Sequence, residues 1–467
     1  MGESDKSDRI AAGIAPAARG HADESRLVKK PHGLSIREAV QRTRDGTLTA
    51  AELTRACLTR CSRLEPRIEA WEHLDAGRAM ERAEELDAAR KSGASVGPLH
   101  GIALGIKDII DVAGMPTTMG SPIHAARVAA VSAPVVHALE AAGAVVLGKT
   151  VTTEFAYYTP NKTRNPWNAA HTPGGSSMGS AAAVAAGMAY GALGTQTNGS
   201  VIRPAAFCGV VGFKPSHDTA SVSGVLAFAS TFDTVGVFAR NVADAAWLAA
   251  VVAAPGRSLA PEPAALSGSP RLAAVRSPAW AAAEDAQREI FAANIAALRR
   301  AGAIVAETEL PASFDRAHDA HRRIMAYEGA QNLGPLQRGH RAQISTRLNA
   351  LLDEGAAMPE AHYREALDAR GRLHQEYTRF TSDFDAVISP PAPGEAPPTL
   401  AETGSPVFCT IWTLLGVPAI SIPVGVGPRG MPLGLQLVGG SRRDDELLAV
   451  ASWCEQVFPF AGLPDER

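Results

Sequence analysis

Two glycine-rich, serine-bearing loops are the most chemically suggestive parts of this chain: PGGSSMGS over residues 173–180 and GTQTNGS over residues 194–200. Glycines beside a hydroxyl let backbone N–H groups approach a ligand without side chains intervening. Such N–H groups can hold the oxygen that turns negative when a carbonyl is attacked. The same composition also suits a pair of helix-capping turns, so the loops alone leave both readings open. Lys107 adds to them, at the end of the apolar stretch GIALGIKD. Lysine is seldom buried unless paired or functional. Desolvation beside hydroxyl partners would lower its pKa from about 10.4, towards a neutral amine able to take a proton. A strand-end lysine with its ammonium in water is the plainer alternative.

Other chemistries find less support. Gly175-Ser176-Ser177-Met178-Gly179 fits the GxSxG pattern of a nucleophile elbow, with Ser177 as nucleophile. That reading needs a strand before the serine and a late acid and histidine; a long proline-containing loop precedes it instead. The histidines beyond Ala220, His318, His321, His340, His362 and His374, all fall in a charged helical stretch and read as surface residues. The five cysteines form no CxxC pair and no HExxH accompanies them, so the expectation is reduced, buried thiols and no metal. With a formal charge of -3 there is no global field for nucleic acid or acidic membrane. No apolar run is long enough to span a bilayer and the first thirty residues lack a secretion signal. The expectation is a cytoplasmic protein, with residues 1–30 a flexible polar leader.

The elements that must position these residues alternate between helix and strand. Residues 35–90 read as helical, with Thr49 and Glu52 spaced as a capping box. Residues 99–110 and 144–150 read as buried strands, with a helix near 134–142 between them. Residues 161–179 form an irregular loop, 180–189 a small-residue helix, and 191–212 short apolar pieces around the second glycine-rich turn. RLAAVR, DAVIS, AISIPVG and LGLQLVG supply later strands, residues 314–380 are helical and charged, and a helix closes the chain at 444–457. Apolar strands alternating with helices predict an α/β fold.

Several stretches in this order resemble the amidase signature family: GIALGIKD, GKTVTTEFA, TRNPWNAAHTPGGSSMGSAAAVAAG, ALGTQTNGSVIRPAAFCGVVGFKPS and STFDTVGVFAR, with GVPAISIPVG and MPLGLQLVG near the C-terminus. The resemblance spans nearly the whole chain. It implies one large domain over 31–467 with a central mixed sheet covered by helices on both faces, a catalytic core at 99–240, and a variable, substrate-side helical region at 310–380. It implies Lys107 as base, Ser176 as bridging serine behind a cis peptide bond, and Ser200 as nucleophile. It also implies an oxyanion hole from Thr197, Asn198, Gly199 and Ser200, with Gly174, Gly175, Ser177, Gln196 and Arg203 as structural neighbours. No cofactor is required.

Three departures stand against the family pattern. Gln196 occupies a place where aspartate is common, four residues before the nucleophile. Arg203 lies three residues after it rather than two, so it pairs either with another acid or with a neutral network. Met178 and Asn198 replace frequent glycines. Tyr157, Tyr158, Met178, Met325, Phe408 and Trp412 are candidate lining residues for a small-molecule amide. The expected activity is hydrolysis of a small aliphatic or aryl amide, extending to carbamates or ureas, by a monomer or homodimer. The glutamine-hydrolysing subunit of a tRNA-dependent amidotransferase is the alternative, and an inactive scaffold the third possibility.

Overall fold

The inner strands of the sheet owe their place to apolar runs without alternation. In a computed structural model, which describes residues 30–460 and Pro464, eleven strands form one mixed sheet. They are β1 (Trp71–Leu74), β2 (Ala103–Lys107), β3 (Val145–Thr150), β4 (Gly191–Gln196), β5 (Val211–Lys214), β6 (Thr234–Ala239), β7 (Arg271–Arg276), β8 (Ile304–Glu309), β9 (Ala386–Ser389), β10 (Ala419–Val426) and β11 (Pro432–Val438). Their order is β1-β3-β2-β4-β6-β5-β10-β11-β9-β7-β8. Every residue of β2, β3, β4 and β6 is buried. Successive strand side chains point to opposite faces, so both faces are covered. This is a single large α/β domain; the leader expected at 1–30 falls almost wholly outside the described residues.

Two parallel pairings matter most for the site. β2 runs parallel to β3 on one side, with Lys107 opposite Thr150, and parallel to β4 on the other, with Ile106 opposite Leu193. The chain therefore leaves β2, β3 and β4 at the same end of the sheet, the end where α/β proteins gather ligands. The helix expected at 180–189 is Met178–Ala185, so it begins within the first serine-bearing motif, two residues after Ser176. Thr49 and Glu52 form the expected capping box on helix Ala50–Ile68.

Between that helix and Ala76–Lys91, the stretch read as continuous helix contains β1. β6 and β8 also fall where no strand was expected. Among the described residues, no helix is long and apolar enough to cross a membrane, and no group of three His, Cys, Asp or Glu side chains could hold a metal ion. All five cysteines are free and buried.

Candidate active site

Lys107 ends β2 with its side chain wholly buried. Nζ donates to Ser176 Oγ at 2.7 Å and to Thr195 Oγ1 at 2.9 Å. Burial holds its pKa well below the ordinary 10.5, and the carboxylate of Asp233 pulls it partly back. The water-exposed alternative for this lysine does not apply. Asp108, beside it in sequence, instead accepts from Lys149 Nζ at 2.9 Å and from Thr118 N at 2.9 Å.

Ser176 is delivered by the loop before helix Met178–Ala185, through a cis peptide bond from Gly175. That loop rests on the segment after β3: Thr153 N donates to Ser176 O at 3.3 Å and Gly179 N to Val151 O at 3.0 Å. Gly174 has φ +82°, and a Cβ there would lie 2.8 Å from Pro204 Cα, so the turn requires glycine. Ser177 is fully buried and bonded to the backbone of Thr195 on both sides, at 3.2 Å and 3.3 Å. This leaves Ser177 a brace between the two loops and removes the nucleophile-elbow reading.

The second loop follows β4 directly. Gln196 Oε1 accepts from Val201 N at 2.8 Å and Ile202 N at 3.0 Å, bracing the turn before helix Ile202–Cys208. Its Nε2 donates to Thr413 Oγ1 at 2.9 Å. Thr413 Oγ1 in turn donates to Asn198 O at 2.5 Å, and Thr197 Oγ1 donates to Asp233 Oδ1 at 2.6 Å. The backbone N–H groups of Asn198, Gly199 and Ser200 donate to nothing among the described residues. A Cβ on Gly199 would stand 2.7 Å from Pro406 Cβ, so only glycine fits there.

Arg203 meets a neutral network rather than an acid. Its guanidinium donates to Gly404 O and Gly175 O, each at 2.6 Å, and lies 5.9 Å from the centre of the Tyr158 ring. Burial lowers its pKa.

These loops open on a pocket lined by Ser176, Thr197, Asn198, Gly199, Ser200 and Arg203 on one side, and by Ala156, Tyr157, Tyr158, Phe228, Met325 and Pro406 on the other. Tyr157 stacks on Phe228 at 5.6 Å between ring centres and meets Tyr158 edge-on at 4.8 Å. Ser200 Oγ makes no hydrogen bond among the described residues and none to Ser176, although both line the pocket. Met178, Phe408 and Trp412 do not line it. Met178 is buried in the first turn of its helix, Phe408 packs with Ala279 and Ala283, and Trp412 packs against Tyr377. Large apolar side chains fill cores as readily as pockets.

Thr195, Asp233 and His321 were missed. Asp233 carried one signal, an acid set among apolar residues in STFDTVGVFAR, which needs buried donors. It has them in Thr197 Oγ1, Phe228 N at 2.7 Å and Ala229 N at 2.9 Å, while burial raises its pKa to about 6. His321, expected at the surface, is buried, because helix Ala317–His340 packs its ring on Phe232.

Comparison with known proteins agrees with this architecture. The family model described as Amidase matches residues 52–448. A glutamyl-tRNA(Gln) amidotransferase subunit from Symbiobacterium thermophilum is 36% identical, over 88% of this chain and 94% of that protein. Other curated relatives at 34–35% identity bear the same name. A crystal structure described as an amidase superposes with a TM-score of 0.83 at 30% identity, covering 91% of this chain and all of the other. The native peptide amidase of Stenotrophomonas maltophilia does so with a TM-score of 0.79 at 29% identity, covering 92% and 98%. By sequence, fold and relatives alike, the chain belongs to the amidase family and is an amide-bond hydrolase.

Proposed function

We propose that the chain hydrolyses a small aliphatic or aryl carboxamide bearing no charge near the scissile bond, through an acyl-enzyme on Ser200. One observation carries this: the pocket beside Ser200 has an aromatic and apolar wall, no carboxylate among the described residues lines it, and its one guanidinium is already held by two carbonyls. A free α-amino group would find no acid there. Carbamate and urea carbonyls present the same kind of electrophile and fall within the proposal.

In this mechanism Lys107 reacts as the neutral amine, which its burial favours. The Ser200 proton passes to Ser176 Oγ as the Ser176 proton passes to Lys107 Nζ, and Ser200 Oγ bonds to the carbonyl carbon. The contact between the two serines forms with substrate in place, as catalytic hydrogen bonds often tighten on binding. The N–H groups of Asn198, Gly199 and Ser200, which donate to nothing among the described residues, take up the oxyanion. Its collapse breaks the C–N bond, and the leaving nitrogen takes the proton back through Ser176 from Lys107. Water then cleaves the ester by the reverse route, releasing the acid.

The second reading is the glutamine-hydrolysing subunit of a tRNA-dependent amidotransferase. The names of the curated relatives favour it more than they favour the first; the lining of the pocket favours the first. Glutamine brings a charged amino group, for which the pocket lining holds no acid, and a carboxylate, for which only Arg203 is at hand. The deciding experiment incubates the purified chain with acyl anilides, aliphatic amides, carbamates, ureas and glutamine, following amine or ammonia release. Turnover of uncharged amides by the chain alone, with glutamine inert, is expected. Glutaminase activity that appears only with two partner subunits would overturn the proposal.

A further inference from the structure

The free N–H groups of Asn198, Gly199 and Ser200 each belong to a peptide whose carbonyl is held from the far side. In a trans peptide the C=O and the following N–H point in opposite directions, so a donor that fixes the carbonyl also aims the N–H. Gly199 O is held by Arg203 N at 3.0 Å, and Asn198 O by Thr413 Oγ1 at 2.5 Å. Thr197 O is held by His321 Nε2 at 2.9 Å. A carbonyl only accepts, so Nε2 carries the hydrogen.

His321 comes from helix Ala317–His340, remote in sequence from the loop. Its ring is buried and stacked on Phe232 at 4.5 Å, within 11° of parallel. Met325, one turn further along the same helix, lines the pocket. Thr197 is gripped from its other side by Asp233. One face of this helix thus supplies both a wall for the substrate and an anchor for the loop.

We propose that His321 is a positioning residue: by holding the Thr197 carbonyl it aims the Asn198 N–H at the developing oxyanion and ties the substrate-side helix to the reacting centre. This rests on the reading of Ser200 as nucleophile and of the loop as oxyanion hole. His321 touches no reacting atom, and a donor that only aims another should matter to kcat more than to KM.

Three variants separate the donor from the ring. His321→Phe keeps the stack on Phe232 and loses the N–H. His321→Gln places an amide N–H near the position of Nε2, whereas His321→Asn keeps an amide that stops short of the carbonyl. Loss of one oxyanion donor costs about 10²–10³ in kcat, so loss of its aim should cost roughly tenfold or more. The expected result is that fall in kcat for His321→Phe and His321→Asn, with KM changed less than about threefold and recovery in His321→Gln. The alkaline-rising limb of the pH profile should stay in place in all three. Should His321→Phe not fold, the Asn and Gln pair carries the comparison.

Unchanged kcat in the Phe and Asn variants, or equal loss in His321→Gln, would overturn the inference. Labelling of the wild type by a fluorophosphonate keeps the two readings apart. An adduct on Ser200 with unchanged variant kcat overturns this inference alone, whereas an adduct on another residue overturns the nucleophile assignment and this inference with it.

Discussion

Lys149 Nζ donates to Asp108 Oδ1 at 2.9 Å, and this bond occupies the carboxylate that lies next to Lys107 in sequence. Both partners are buried, and Lys149 also donates to Thr117 Oγ1 at 2.9 Å. The acid that acts on Lys107 is Asp233, brought from elsewhere in the chain. The charge balance at Lys107 therefore depends on a residue that also grips Thr197 in the second glycine-rich loop.

A lysine buried with a lowered pKa destabilises the fold wherever the unfolded chain would hold its proton. Below the ordinary 10.5 the unfolded state binds a proton that the folded state accepts less readily, so this penalty shrinks as pH rises towards 10.5. Lys107→Met should accordingly abolish turnover and yet melt at a higher temperature than the wild type at pH 7. Melting curves at pH 7 and pH 10 check this; the gap should narrow at the higher pH. A less stable variant at pH 7 would mean that the bonds to Ser176 and Thr195 outweigh desolvation.

Asp233→Asn removes the negative charge that raises the Lys107 pKa. The alkaline-rising limb of kcat/KM should then move to lower pH, because the neutral amine forms sooner. An unchanged limb would show that the limb does not report Lys107.

Ser200→Ala should abolish amide hydrolysis with little effect on stability, since Ser200 Oγ has no hydrogen bond to lose among the described residues. A change within about 0.5 kcal/mol is expected in denaturant melts. Retained wild-type turnover would remove Ser200 from the chemistry.

Gln196→Ala leaves the N–H groups of Val201 and Ile202 without their acceptor in a buried turn. Each unmet donor costs about 1–3 kcal/mol, so a loss of roughly 2–6 kcal/mol should appear in urea unfolding. Gln196→Glu keeps the acceptor and should lose less, although it brings a buried charge.

Much of this arrangement was legible from residue types because the central strands are apolar without alternation and the two loops follow them closely. Of the strands that escaped notice, β1 and β8 are the two edges of the sheet, where partial exposure admits the polar residues of WEHL and IVAETE, whereas β6 lies inside it as the short run TVGVFA, split by a glycine. Within the site, Lys107, Ser176 and Ser200 stand in glycine-rich or apolar contexts that draw attention to them. Asp233 and His321 act by holding Thr197, which lies 36 and 124 residues away from them. No local pattern records a contact of that kind.

The parallel pairing of β2 with both β3 and β4 has a consequence for how this protein can change. Lys107 and the Ser200 loop leave neighbouring strands in the fully buried middle of the sheet, where amide hydrogens exchange with solvent only on deep unfolding. Tyr157, Tyr158, Phe228, Met325 and Pro406 stand on loops and a helix outside that layer. Substitutions among them can reshape the acceptable acyl or amine group without disturbing the strand register that sets the base beside its serine. On the proposed mechanism, specificity thus sits on a rim outside the sheet, and the chemistry on the strand ends within it.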